Sequence, residues 1–175
     1  IKMNVQDFKW KKDITVKELV DKYKGIGYQS VELARASDVF VKMKKNSAKV
    51  YLTFTSNMVT SGLRGFFAQL IKLGIANVVV TTVGGLEEDI MKSNGEKFRV
   101  GNFHSDDVEL HEKGINRVGN LFVNNEAYMN FEDWITPVLN KLYEKQKRWA
   151  VSELLREIGL LLDDEDSILY FYRMF

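Results

Sequence analysis

Three consecutive acids, Glu87, Glu88 and Asp89, follow a glycine pair at the end of an apolar β-branched run in "VVVTTVGGLEEDI", residues 78 to 90. Carboxylates at the mouth of a strand can accept ribose hydroxyls or hold a cationic substrate. Gly84-Gly85 would let the backbone take φ > 0 and let a ligand come close with no Cβ in the way. The competing reading is a plain helix start, because acids in a first helical turn are favoured by the helix dipole. A second stretch, "TSNMVTSG" (55 to 62), carries small hydroxyl and amide side chains into a helix N-terminus. Free N–H groups and the positive helix end make such a place a seat for a pyrophosphate. An ordinary Ser/Thr N-cap accounts for the same residues, and spacing alone leaves both readings open.

Other chemistry is weaker. His104 and His111 lie in "NFHSDDVELHEKG" with Asp106, Asp107 and Glu112. The histidines are separated by seven residues and not by the helical three or four of a metal pair, so the segment reads as a solvated connection and no metal site is expected. The acidic "DDED" (163 to 166) reads as a helix cap and solvated turn. Trp10, Trp134 and Trp149 read as core or interface anchors.

Composition bounds the rest. The chain has 175 residues, 45% of them hydrophobic, which suits a single domain over 1–175 with one core. A net charge of +1 gives no sign of a nucleic-acid partner. The absence of cysteine excludes a disulfide scaffold, a Cys-ligated zinc and a thiol nucleophile. No run approaches the roughly 18 apolar residues of a membrane span, and the start lacks a signal-peptide core. The expectation is therefore a soluble cytoplasmic protein with no membrane partner. Ile1-Lys2 ahead of Met3 reads as an added remnant.

The elements that must position these residues follow from periodicity. Thr15 and Glu18 have capping-box spacing, and Gly25 suits the stop of the helix they begin. A second helix from about Ser30 would carry Leu33, Ala36, Phe40 and Met43 on one face. "KVYLTFT" (49 to 55) alternates as a strand. Leu63, Phe66, Phe67, Leu70 and Ile71 then follow helical spacing, Gly74 ends that helix, and "ANVVVTT" is a second strand. Strand, helix and strand over about 35 residues form the βαβ unit of a parallel sheet. A short helix is expected over 86 to 94, an edge strand in "KFRVGNF", and a third main strand over 116 to 123. A long amphipathic helix is expected from Phe131, kinked or delayed by Pro137, then helices at about 152 to 162 and 166 to 174. The result is an α/β chain with a partial Rossmann-like doubly wound parallel sheet and flanking helices. With three or four strands and an aromatic tail, "ILYFYRMF", left uncovered, it is expected to be completed by a partner chain.

At "TSNMVTSGLRG", "VVVTTVGGLEEDI" and "GINRVGNLFVNNEAYMNFEDW" the chain resembles the deoxyhypusine synthase family. These long blocks occur in order, and the resemblance runs from about Val5 to the last residue. It implies an NAD-dependent transferase that moves the aminobutyl group of spermidine, through an imine on an enzyme lysine, to a lysine of translation factor 5A. By the same resemblance Ser56, Asn57, Met58, Val59 and Thr60 form one NAD-contacting loop, and Thr82, Val83 and Gly84 a second. Glu87 and Glu88 become a carboxylate pair near the polyamine, with Glu88 also touching NAD.

The chain departs from the family pattern in three places. Val83 stands where the family has alanine, a larger side chain expected to tighten the pocket. Asn124 replaces a proline and Ala127 an asparagine, so the local loop is expected to differ.

The resemblance covers only an N-terminal half, and no lysine here matches the nucleophile's motif, so no catalytic residue is assigned to this chain. The expectation is the N-terminal subunit of a split enzyme, archaeal in type. It would form a hetero-oligomer with a complementary C-terminal-half chain. A non-catalytic NAD-binding regulatory paralogue, a fragment of an intact enzyme and a homospermidine synthase-like subunit remain open alternatives.

Overall fold

A computed structural model describes residues 4–174; the expectations for Ile1-Lys2 and for Phe175 lie outside them. The chain divides into two compact units, one ending at Val50 and one beginning at Tyr51.

The first unit is a helical pair, α1 (Val16–Tyr23) and α2 (Gln29–Lys45). The capping box is present: the Thr15 hydroxyl accepts from the Glu18 N–H, and the Glu18 carboxylate accepts from the Thr15 N–H at 2.9 Å. Gly25 follows the α1 cap, and a Cβ there would meet the Gln6 side chain at 3.0 Å. The expected apolar face of α2 is largely open: Leu33, Ala36 and Phe40 are exposed and Met43 is half-buried, while Ala34, off that face, is buried.

The second unit holds the site. Strand β1 (Tyr51–Phe54) leads into a helical segment of three parts: α3 (Ser56–Met58), a π turn (Val59–Leu63) and α4 (Arg64–Lys72). Gly74, at φ 61°, closes it, and β2 (Val78–Thr81) then pairs parallel to β1 with Tyr51 opposite Val78 and Phe54 opposite Thr81. Alternation puts Leu52, Phe54 and Val79 on one face, packed against Phe67, Ala68 and Ile71. Phe54 stacks on Phe67 at 4.0 Å. The opposite face, with Tyr51, Val78 and Val80, is exposed.

Among the described residues the parallel sheet has two strands, not three or four. The expected third strand is a hairpin, β4 (Ile115–Val118) and β5 (Leu121–Asn124), turned at Gly119 with φ 63°. It forms a separate antiparallel sheet with β3 (Arg99–Val100), in the order β3-β5-β4. The fold is thus α/β with a small parallel sheet and flanking helices.

Helix α5 (Val83–Ser93) follows β2, and α6 (Asp107–Glu112) precedes the hairpin. Helix α7 (Asn125–Lys145) begins six residues before Phe131 and runs through Pro137, whose side chain is exposed. Helices α8 (Val151–Gly159) and α9 (Ile168–Tyr172) complete the unit. Trp134 and Trp149 pack on the cluster of Ile90, Leu142, Ile158, Leu162 and Leu169, whereas Trp10 is exposed. The aromatic tail is not uncovered: Ile168, Leu169 and Phe171 are buried against α4, α5 and α8. No helix among the described residues is long and apolar enough to cross a membrane.

Candidate functional site

The two parallel strands end side by side, and each runs directly into a helix start. Thr55 and Thr82 occupy the N-cap positions in extended conformation, φ −93° and −80°, yet neither hydroxyl caps its helix. The plain Ser/Thr-cap reading therefore does not describe these residues. First-turn N–H groups are left without a side-chain cap, at the positive end of the helix dipole.

The glycine pair works differently from the sequence expectation. Gly84 and Gly85 lie inside the first turn of α5 and neither has positive φ. Their use is close packing. A Cβ on Gly84 would lie 3.3 Å from Ser56 Cβ, and one on Gly85 would lie 2.6 Å from Thr81 Oγ1. Bare backbone lets the start of α5 nest against the start of α3. Thr81 Oγ1 is buried there with no hydrogen-bond partner among the described residues.

Because α5 begins at Val83, the three acids fall in its second turn and not its first. Glu87 is partly buried, and burial pushes its carboxyl above the usual range. Glu88 is buried, with Oε2 2.5 Å from the Thr60 hydroxyl. Burial pushes Glu88 up most, while the Thr60 hydroxyl and the Lys92 ammonium oppose it and the Glu87 charge adds to it. Tyr128, on the first turn of α7, joins the group: burial and then the charges of Glu88 and Glu87 push its hydroxyl up.

Asp89 points elsewhere. Its carboxylate is fully buried and accepts from the Ser167 hydroxyl at 2.9 Å and from the Leu169 and Ile168 N–H groups at 3.0 and 3.2 Å. Arg64 Nε lies 3.3 Å away. This acid caps α9 and is absent from any ligand-facing surface. Arg64 also donates to the Asp166 carbonyl at 2.9 Å and pairs with Asp164, so "DDED" forms an organised anchor as well as a turn.

The expected residues divide accordingly. Ser56 touches the Gly84 position, and Thr60 bonds Glu88. Asn57, Met58, Thr82 and Val83 are exposed at the two helix starts. Val59 is wholly buried, its side chain in the core and its carbonyl accepting from Lys92. Val83 is 82% exposed and lines an apolar groove with Val78, Val80 and Leu86. Asn124 is the uncapped N-cap of α7, and Ala127 is buried in the first turn of that helix. His104 lies in an exposed turn and His111 in α6, and no group of three metal-ligating side chains occurs among the described residues. Sequence reasoning missed Lys92 and Tyr128. Lys92 stands four residues after Glu88, an acid-to-base helical spacing that was available as a signal; Tyr128 left none.

Comparison with known proteins agrees with this arrangement of elements. The family model of deoxyhypusine synthase matches residues 18–172. A relative from Schizosaccharomyces pombe, named a probable deoxyhypusine synthase, is 41% identical over 172 residues, covering 90% of this chain and 49% of its own length. One from Halobacterium salinarum with the same name is 41% identical, covering 87% and 46%. One from Thermococcus kodakarensis is 37% identical, covering 92% and 52%. A crystal structure from Entamoeba histolytica, described under the same enzyme name, superposes with a TM-score of 0.65 at 24% identity, covering 95% of this chain and 58% of that one; it speaks for the fold. The chain spans about half the length of the curated relatives it matches. Over that span, it belongs to the deoxyhypusine synthase family.

Proposed function

We propose that this chain is the N-terminal-half subunit of a split deoxyhypusine synthase, binding NAD and part of the polyamine while a second polypeptide supplies the catalytic lysine. The observation that carries the reading is the pair of helix starts at Thr55 and Thr82, uncapped by side chains and nested through Gly84. Two adjacent helix starts without side-chain caps suit the pyrophosphate of a dinucleotide. The orphaned Thr81 hydroxyl beside them fits a bound polar group better than an apolar one. NAD bound there would accept a hydride from the amine substrate and return it later in the reaction.

The residues of this chain have separable tasks in that reading. The main chain of 56 to 60 and of 82 to 84 seats the cofactor. Glu87 and Glu88 receive the ammonium groups of spermidine. An arriving ammonium favours the ionised carboxylates and so works against the burial that raises both.

A partner also fits the packing. An apolar groove of about 370 Å³, lined by Val78, Val80, Leu86, Val151 and Leu155, flanks β2, whose outer face is exposed. The acceptor lysine on translation factor 5A and the hetero-oligomeric state belong to the same proposal. The test is NAD affinity of this chain assembled with a polypeptide spanning the other half of a relative's length. Gly84→Val puts a branched side chain against Ser56 and should weaken NAD binding; unchanged affinity in a folded variant would count against the assignment.

A further inference from the structure

We propose that Lys92 is a positioning residue for the cofactor segment: from α5 its ammonium holds the π turn Val59–Leu63 in shape by donating to two of its carbonyls. The inference rests on the reading of residues 56 to 60 as a cofactor seat and extends it to a residue outside that seat.

Lys92 Nζ lies 2.6 Å from the Val59 carbonyl oxygen and 3.2 Å from that of Thr60. A π turn interrupts the i to i+4 ladder, and such interruptions are stabilised where a side chain supplies the missing donor. This turn is further bent by Gly62, whose φ of 98° is outside helical range. The ammonium is fixed from its own side as well. Lys92 is half-buried, follows the fully buried Met91, and has its Nζ 4.5 Å from the centre of the Phe98 ring.

The connection to the site runs through Thr60. Its carbonyl accepts from Lys92, while its hydroxyl lies 2.5 Å from Glu88 and 3.0 Å from the Ser56 carbonyl. Lys92 and Glu88, one turn apart on α5, therefore grip the same residue of the turn at its main chain and its side chain. The other charges acting on Lys92 are Asp89, which favours its ammonium, and Arg64, which opposes it. A cation in the last turn of α5 would also be favoured by the helix dipole alone, and that simpler role needs no contact with the turn.

Hydrogen exchange and NAD affinity separate the two roles. In the full chain, Lys92→Met should raise exchange in the π turn and the start of α4 while the first two turns of α5 keep their protection. Lys92→Arg, which restores the charge and donors, should return most of it. Lys113→Met, which removes a surface cation at the end of α6, should change neither region. In the assembled enzyme Lys92→Met should weaken NAD about tenfold, the scale of one charge-assisted hydrogen bond, with partial rescue by arginine. Unchanged protection of the turn, or a loss spread evenly over the chain, overturns the inference. So does loss of protection with unchanged NAD affinity. Failure of the unsubstituted assembly to bind NAD overturns the functional reading beneath it, whatever the exchange data show.

Discussion

The Thr60 hydroxyl stands between two acceptors, 2.5 Å from Glu88 Oε2 and 3.0 Å from the Ser56 carbonyl, and its one proton can go to only one of them. A protonated Glu88 removes the conflict, since it donates to Thr60, which then donates to Ser56. Burial, the largest influence on Glu88, favours that form.

A pH dependence follows. An acid whose pKa is raised on folding holds its proton more tightly in the native state, so its contribution is present below the unfolded value and is lost as pH rises through the folded one. The ordinary value for Glu88 is 4.5, and the shift is upward. Stability of the unsubstituted chain should therefore fall relative to Glu88→Gln as pH rises above that value. Glutamine can donate to Thr60 without titrating, so the variant should lack this pH dependence. Urea melts of both proteins from pH 4 to 8 measure the difference; a gap that is flat or runs the other way contradicts the protonation argument.

Asp89 couples α5 to α9 through three accepted hydrogen bonds and the nearby Arg64. Asp89→Asn removes the charge and turns an amide N–H₂ toward groups that are themselves donors. The expected cost is about 3 kcal/mol, from the loss of charge-assisted bonds in a buried setting. Ser167→Ala removes one of these bonds together with the cap that Ser167 gives the Tyr170 N–H, and should cost about 2 kcal/mol. Denaturant unfolding checks both, and equal small losses would mean that the cap is not anchoring the helix.

The glycine pair should split by position. Gly85→Ala brings a methyl 2.6 Å from Thr81 Oγ1 and should destabilise by about 1–3 kcal/mol through overpacking. Gly84→Ala needs only a small shift of Ser56, and the gain in helix propensity, about 1 kcal/mol, offsets it. Thermal melts that rank the two in the opposite order would contradict the nesting of α5 on α3.

Tyr51, Val78 and Val80 leave one face of the two-stranded sheet apolar and open. The chain on its own should self-associate, and co-expression with a complementary half should give a defined heteromer. Light scattering decides this, since a well-behaved monomer of the lone chain removes the packing argument for a partner.

Much of the fold was legible in local patterns. The Thr15–Glu18 spacing marked α1, and alternation over Val50, Leu52 and Phe54 marked β1. The errors have physical causes. The Gly119-Asn120 turn splits an apolar run into a hairpin, but a continuous apolar pattern reads equally well as one strand. Gly84-Gly85 suggested a loop, whereas close packing on Ser56 and Thr81 makes glycine useful within a helix. The tail from Ile168 to Phe171 looked uncovered because two of the helices that cover it, α4 and α5, lie far away in sequence. At the site, the strand ends and acids were visible as types. The Thr60–Glu88 bond was not, since it joins residues 28 positions apart on different elements.

The central claim is that this chain carries the cofactor-binding and polyamine-binding part of the enzyme and lacks its nucleophile. Incorporation of labelled spermidine into translation factor 5A tests it most directly, assayed with this chain, with a complementary C-terminal half, and with both. The account predicts transfer only from the pair, weakened spermidine use in Glu87→Gln with NAD binding largely kept, and damage to both in Glu88→Gln. Transfer by this chain alone would contradict the split arrangement. No transfer by a well-assembled pair would contradict the catalytic reading and favour a regulatory one.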